Sequence, residues 1–429
     1  MKQWYALYSN ILYMHFSSGF YTLPDSAKNA ASPHNPAMRL FRMAGYTAVR
    51  LIGNLFKSVE RQEELQGKVW LYVVSQNNYD SLKFISESLP DTVFVAGQSK
   101  AIGRYNRVVQ RLSLRRKLFY YYKFPFLLIR FLKTHKKSTS RFFDLLYDAI
   151  GFYEVYLRKL RFYKPLAIVF ANDHNADARA MLLAAKTLGV KTIYIQHASV
   201  SPIFPPLAFD LNLLEGQDAL AKYKACGPIQ GQVQLIGMPK ADTYIPQRNR
   251  SKYIKTVGIG CNLLDDPQEV EQLLRKLSVA LPEITFILRP HPRDTRDLAA
   301  FVTIAGNIKL SDSHTEPVFD YLQQLDVQVS GTSGIHLEAV LLNVWSIFYN
   351  FKAKQQLKDY YGFVEHGLVD VVDSPDELLM LLNRHLHNRP QVVERARYYN
   401  ATVGTANEGK SSEIAIQHIK TFLHIKNKI

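Results

Sequence analysis

Cysteine is almost missing from this chain: Cys226 and Cys261 are the only two among 429 residues. That scarcity argues against a disulfide framework and a cysteine-based zinc site, and it fits a reducing compartment. Long apolar sequence is missing too. No run reaches the roughly 18–20 uninterrupted apolar residues of a membrane-spanning helix. The nearest approach, residues 118–132, is broken by Lys123, Pro125 and Arg130. Residues 1–20 include Asn10, His15, Ser17 and Ser18 and lack a charged start followed by a clean apolar core. They are therefore not read as a targeting signal. The expectation is a cytoplasmic protein, soluble or peripheral. Composition excludes disorder, collagen and coiled coil, and no internal repeat or low-complexity tract occurs. No P-loop, HExxH, EF-hand or GxSxG pattern is found, and no DxD stands at a strand end. Neither a metal nor a cofactor is expected.

What the chain has in excess is positive charge. Against 37 Asp and Glu stand 53 Lys and Arg, a formal net of +16. The excess is local. Residues 101–164 hold 16 Lys and Arg against Asp144, Asp148 and Glu154, hence +13, and the other 365 residues carry +3. The same segment holds 16 of the 52 aromatics, among them Phe119 to Tyr122, Phe124 and Phe126. Tyr and Phe beside cations suit the boundary between water and an anionic lipid surface. The alternative is an aromatic core with a solvated basic face. Nucleic acid is the other polyanion that such charge would attract, but the basic residues lie away from the strand ends where a site is expected.

The length suggests two or three domains at about 100–200 residues each. Residues 1–66 read as irregular and helical. From 68–74 onward, apolar runs of strand length alternate with helices, through strands at 92–97, 166–170, 191–196, 210–214 and 233–237. The basic segment interrupts this with helices. One helical face there carries Phe142, Leu146, Ala149, Ile150, Tyr153, Leu157 and Leu160, with Asp144, Asp148 and Arg158 opposite. After the polar stretch 247–252 a second set begins, with strands at 256–260, 284–288, 326–330 and 344–349 and helices at 267–280, 335–342 and 375–387. Alternation of this kind predicts parallel sheets. The expected fold is α/β, two Rossmann-like domains with strand ends facing a cleft. Domain 1–246 carries the insertion, domain 247–405 follows, and the helix in 406–429 packs back on the first.

In open parallel sheets, ligands bind beyond the carboxyl ends of the strands. Four strand ends draw the eye. Ser330-Gly331-Thr332-Ser333-Gly334 offers hydroxyls and free N–H groups to a phosphate, with Glu338 further along the helix for a sugar or ribose hydroxyl. A plain capped helix, with Ser333 as N-cap, is the alternative. Arg289-Pro290-His291-Pro292-Arg293 is a rigid turn expected to present two guanidinium groups and an imidazole. Ala171-Asn172-Asp173-His174-Asn175 places Asp173 as a general base or nucleophile, unless the run only caps a helix, as Asn175 can. Gln196-His197 ends the next strand, where His197 would stand beside Asp173 if the strands are neighbours. His314 and Glu316, and the glycine pair Gly258 and Gly260 read as a turn, are weaker candidates.

These pieces, in this order, resemble the donor-binding domain of GT-B glycosyltransferases that build bacterial capsule and lipopolysaccharide. The Arg289-Pro290-His291-Pro292 turn, the strand into Ser330–Gly334, and Glu338-Ala339 behind it carry the likeness, which spans residues 165–375. Related pieces occur in HP-motif sialyltransferases, capsule-type Kdo transferases and CDP-glycerol glycerophosphotransferases. The resemblance implies that His291, Ser330, Thr332 and Ser333 hold the phosphate of a cytidine nucleotide. Asn172-Asp173-His174 stands where sialyltransferases carry an acidic DDG or EDG motif, and it looks most like the β-Kdo transferases, whose cleft aspartate serves a retaining reaction. The implied activity is metal-independent transfer of a 2-keto sugar acid from a CMP donor to a lipid-linked glycan. It would run at the inner face of the bacterial inner membrane, with residues 101–164 on the anionic surface and no nucleic acid as partner.

Overall fold

The computed structural model describes residues 2–54, 60–98, 108–294, 296–353 and 359–425. The chain divides into two compact units. The first comprises Met1–Leu214, Ala219–Leu235 and Ser412–Ile429, and the second Glu215–Asp218 and Ile236–Ser411. Each is a parallel sheet with helices, the α/β architecture that the alternation predicts.

The first sheet contains β1 (Val69–Val73), β2 (Thr92–Gly97), β3 (Val109–Leu112), β4 (Ala167–Phe170), β5 (Lys191–Ile195), β6 (Leu211–Leu214) and β7 (Gln232–Leu235). Their order is β3-β2-β1-β4-β5-β6-β7, so the winding reverses between β1 and β4. Leu71 pairs with Phe94 on one side and Val169 on the other. The central strands are continuous apolar runs because both sheet faces are covered; every residue of β1 and β4 is buried.

Strand β3 lies where a helix was expected. Its middle residues, Gln110 and Arg111, break the apolar pattern, yet both are buried and pairing with β2 fixes the strand. The stretch 141–160 is not one helix either. Lys136–Ala149 and Phe152–Tyr163 are separated by Gly151, in the left-handed region at φ 83°. A Cβ there would come within 3.0 Å of the Lys117 Cα. Asp144, placed on the solvent face by periodicity, is fully buried. It accepts from Ser32 Oγ at 2.7 Å and pairs with Arg42 at 3.4 Å. Residues 101–107 of the basic segment lie outside the described residues. Its other aromatics divide: Phe131, Phe142, Phe152 and Tyr156 join the core, whereas Phe119, Tyr122 and Phe126 are exposed.

The second sheet contains β8 (Thr256–Cys261), β9 (Thr285–Pro290), β10 (Ile308–Leu310), β11 (Val327–Ser330), β12 (Trp345–Tyr349) and β13 (Asp370–Val372), in the order β10-β9-β8-β11-β12-β13. The edge strands β10 and β13, three residues each, escape a pattern reading. Gly258 and Gly260 sit inside β8 and form no turn. They make room: a Cβ on Gly258 would meet the Tyr321 hydroxyl at 2.3 Å, and one on Gly260 would meet Gln328 Nε2 at 2.8 Å. No helix among the described residues is long and apolar enough to cross a membrane.

Candidate active site

In the first unit, the ends of β1, β4 and β5 are joined by a residue that the sequence reading passed over. Asn78 is fully buried one turn into helix Gln76–Ser88. Its Nδ2 donates to the Ala171 carbonyl at 3.3 Å and to His197 Nε2 at 3.2 Å, and its Oδ1 accepts the Val74 N–H at 3.3 Å. His197 Nε2 is thus an acceptor, and the neutral ring carries its proton on Nδ1. The only hint in the sequence was the polar stretch 75–78 after an apolar strand.

Beyond β4, Asn172 Oδ1 accepts the N–H groups of His174 (3.3 Å) and Asn175 (2.8 Å). Asn175 caps helix Ala176–Thr187 through the Asp177 N–H at 3.0 Å. Capping is therefore done without Asp173. The Asp173 carboxylate, 2% exposed, accepts from His174 Nδ1 at 2.8 Å and from the Tyr223 hydroxyl at 2.7 Å. A phenol has one proton, so Tyr194, 3.0 Å from Tyr223 Oη, donates to it in turn. Burial pushes the Asp173 carboxyl up, but the His174 hydrogen bond and charge, then Tyr223, then Arg179 outweigh it, and the pKa falls below the usual carboxylate range. Asp173 is ionised at neutral pH. His174 donates to it through Nδ1, stacks on Phe204 at 4.3 Å and is partly exposed. Strands β4 and β5 are neighbours, as the pairing of Asp173 with His197 required, but the His197 ring bonds to Asn78 on the β1 side. Tyr223, 50 residues from Asp173 along the chain, left no local signal.

In the second unit, the loops after β9 and β11 flank the loop after β8. His291 is exposed beyond β9; its N–H donates to the Cys261 carbonyl at 2.9 Å and its Nδ1 accepts the Arg293 N–H at 3.1 Å. The neutral ring therefore offers Nε2–H as a donor. Burial, then the Arg293 charge, lowers its pKa, so the ring is neutral at pH 7. Arg296 holds the neighbouring loop, donating to the carbonyls of Asp265 (2.6 Å) and Asn262 (2.7 Å) while paired with Asp294. Asn262 Nδ2 reaches the Thr332 carbonyl at 3.4 Å. Asp265, pushed up to about 6 by burial, lies against Gly331, where a Cβ would stand 3.1 Å from its Oδ1.

The Ser330–Gly334 turn rests on a histidine. His336, 1% exposed, donates Nε2–H to the Gly331 carbonyl at 2.9 Å, leaving Nδ1 to accept from Ser346 Oγ at 2.7 Å. Ser330 Oγ donates inward to the Gly260 carbonyl at 2.8 Å, so it is committed to the sheet. Ser333 Oγ accepts the Ile335 N–H at 3.3 Å, part of the capping role that was its alternative. The main-chain N–H groups of Thr332, Ser333 and Gly334 have no protein acceptor among the described residues. Main-chain N–H groups without a protein acceptor at the start of a helix are available as donors to an anion.

Arg289 turns inward, contrary to expectation. Arg289 is 8% exposed and bonds to Ser311 Oγ (2.5 Å), Glu316 Oε2 (3.2 Å) and the Glu316 carbonyl (2.8 Å). The turn thus presents Arg293, not two arginines, and Glu316 is the counterion of Arg289. His314 is exposed in the turn that Asp312 organises through the His314 N–H. Glu338 pairs with Lys240 at 2.5 Å. Burial pushes nearby Glu215 up to about 8, with Lys240 opposing and Glu338 adding to the shift. Among the described residues no group of three His, Cys, Asp or Glu is placed to hold a metal ion.

No protein-family pattern matches the chain, and no curated protein matches it. Solved structures do. A putative UDP-N-acetylglucosamine 2-epimerase from Listeria monocytogenes aligns over 85% of this chain and 98% of its own, with TM-score 0.56 and 10% identity. The wall teichoic acid polymerase TagF, in a variant soaked with CDPG, covers 90% and 97%, with TM-score 0.53 and 13% identity. The glycotransferase of kitacinnamycin covers 83% and 99%, with TM-score 0.52 and 14% identity. At such identities the likeness shows the fold alone. The fold is of the GT-B type, built from two Rossmann-like units.

Proposed function

We propose that this chain is a sugar-nucleotide-dependent transferase that moves a 2-keto sugar acid, Kdo, from CMP to a lipid-linked glycan in bacterial capsule or O-antigen synthesis. The observation that carries the reading is the donor-side geometry. The Nε2–H of His291 and the free N–H groups of Thr332–Gly334 flank one strand end, and together they suit the phosphate of a departing nucleotide. Asp173 supplies the carboxylate, held ionised by His174 and Tyr223. In the retaining course, an Asp173 oxygen bonds to the anomeric carbon as its bond to the phosphate oxygen breaks, and CMP leaves with the electron pair. An acceptor hydroxyl then displaces Asp173 and loses its proton, with His174 as the nearest base. Glu338 and Lys240 serve the nucleotide sugar, and residues 101–164 hold the enzyme on an anionic membrane near its acceptor.

A second reading, CDP-glycerol or CDP-ribitol phosphotransfer, is favoured by the fold likeness to TagF. It uses the same donor turn but transfers a phosphoryl group. The two separate on CMP release from purified protein given CMP-Kdo or CDP-glycerol with a lipid-linked acceptor. Turnover of CMP-Kdo is expected; activity on CDP-glycerol alone would end the Kdo reading.

A further inference from the structure

Helix Pro36–Ile52 is built inside out. Its polar side chains face the protein. Arg39 donates to the carbonyls of Ser140 (2.5 Å), Arg141 (2.9 Å) and His34 (3.0 Å). Arg42 donates to the Ala31 carbonyl at 2.6 Å and pairs with Asp144, Thr47 bonds to the Tyr147 hydroxyl at 2.7 Å, and Arg50 pairs with Asp148 at 3.2 Å. Every exposed residue of the helix is apolar: Pro36, Ala37, Met38, Leu40, Phe41, Ala44, Gly45, Ala48, Leu51 and Ile52. The spacing 37/38, 41, 44/45, 48, 51/52 is one continuous stripe along the helix. Phe41 is 73% exposed and Leu51 57%. A surface helix of a globular protein places such a stripe against the core; here the core side is taken by arginines.

The surroundings say what covers it. The 3₁₀ helix Arg115–Lys123 packs beside it, with Arg115 Cδ 2.8 Å from where a Gly53 Cβ would stand, and it exposes Phe119 (74%) and Tyr122. Helix Phe124–Thr134 exposes Phe126 and Ile129. The acids of this region are internal: Asp144 pairs with Arg42, Asp148 with Arg50 and Lys117, and Glu154 with Lys123. Consequently every exposed charge among described residues 108–164 is positive, including Arg115, Arg116, Arg130, Lys133, Lys136 and Lys137. Two such faces from two copies would repel, whereas anionic headgroups over acyl chains complement both the cations and the apolar stripe.

We infer that helix Pro36–Ile52 lies in the plane of an anionic bilayer and buries its apolar stripe among the acyl chains, flanked by the cations of the basic segment. This rests on the membrane part of the proposed function, not on its donor chemistry. The test is cosedimentation of the full chain with phosphatidylcholine vesicles, with and without phosphatidylglycerol. Wild type binds the anionic vesicles. Phe41→Ser with Leu51→Ser, both exposed and hence free to fold, lowers the partition coefficient at least about tenfold, equal to about 1.4 kcal/mol. Phe41→Trp gives fluorescence quenched by lipids brominated on their acyl chains. Lys133→Gln, Lys136→Gln and Lys137→Gln together remove the salt-sensitive part of binding. Binding lost in the charge variant but unchanged in Phe41→Ser/Leu51→Ser, with Phe41→Trp unquenched, overturns the helix inference and leaves the basic surface standing. Binding unchanged in the charge variant but lost in the serine variant overturns the basic-surface reading instead. A wild-type dimer in solution that Phe41→Ser dissociates gives the stripe to a second copy and refutes the lipid assignment.

Discussion

Replacing His336 with phenylalanine isolates the support beneath the Ser330–Gly334 turn. The ring is buried and makes two hydrogen bonds, to the Gly331 carbonyl and the Ser346 hydroxyl. Phenylalanine fills similar space and leaves both partners buried without it. At about 1–3 kcal/mol for each of the two groups left unsatisfied, the second unit loses about 2–6 kcal/mol at pH 7. The substitution also removes a titration. Burial lowers the His336 pKa from 6.5 to about 4, so the folded protein holds the ring neutral while the unfolded chain takes up a proton. Stability from this group is complete above pH 6.5, falls as pH drops from 6.5 towards 4, and is constant below that. Between pH 7 and 5 the loss is on the order of 2 kcal/mol. Hydrogen exchange of the peptide covering 330–341, followed against urea at both pH values, reads this locally. His336→Phe starts less protected at pH 7 and then loses about 2 kcal/mol less than wild type on going to pH 5. An acid dependence identical in the two proteins would refute the burial of a neutral ring at this position. Donor affinity supplies a further readout: on the proposed donor role of the Ser330–Gly334 turn, His336 acts through the Gly331 carbonyl, so His336→Phe should raise the KM for the donor while leaving the pH profile set by Asp173 unchanged.

Other tests follow from the same geometry. Asp173→Asn keeps the shape, removes the nucleophilic carboxylate, and lowers kcat on the order of 10⁴–10⁶-fold, the span of a lost nucleophile; unchanged CMP release would relocate the site. Tyr223→Phe removes a donor that holds the Asp173 pKa down, so the acidic limb of the kcat/KM profile moves to higher pH. His291→Gln retains an N–H donor that His291→Ala lacks, and the donor KM should rise several-fold more for alanine at pH 7, where the wild-type ring is neutral. Equal effects of the two would deny a hydrogen bond to the leaving phosphate.

The strands read best from sequence were those covered on both faces. Val69–Val73, Ala167–Phe170 and residues 257–261 are buried at every position, so these strands carry no charged residue and read as nearly continuous apolar runs. Helix Pro267–Ala280 was legible to the residue because Asp266 caps it and Pro267 opens it. Strand β3 hid because buried Gln110 and Arg111 mimic a solvated stretch. Asp144 was misplaced because a helical period reports one covered face, and helix Lys136–Ala149 is covered on more than one, with Ser32 and Arg42 meeting Asp144 from more than 100 residues away. In the site, Asp173 and His291 could be found because they follow apolar strands directly. Their supports could not. Asn78 meets His197 across 119 residues, and neither Tyr223 nor His336 stands in a motif. Arg289 misled because a strand-end arginine reads alike whether it faces a ligand or, as here, Ser311 and Glu316.

Asn78 has one more consequence. Its amide is shared by the ends of β1, β4 and β5, so none of the three can fray alone without leaving a buried polar group unmet, at about 1–3 kcal/mol. An independent excursion of any one tip is thereby made roughly five- to 150-fold rarer. Reactions that depend on near-contact distances tolerate little wandering of the reacting group. A single side-chain amide thus makes one rigid body of three loops that arrive from distant parts of the chain.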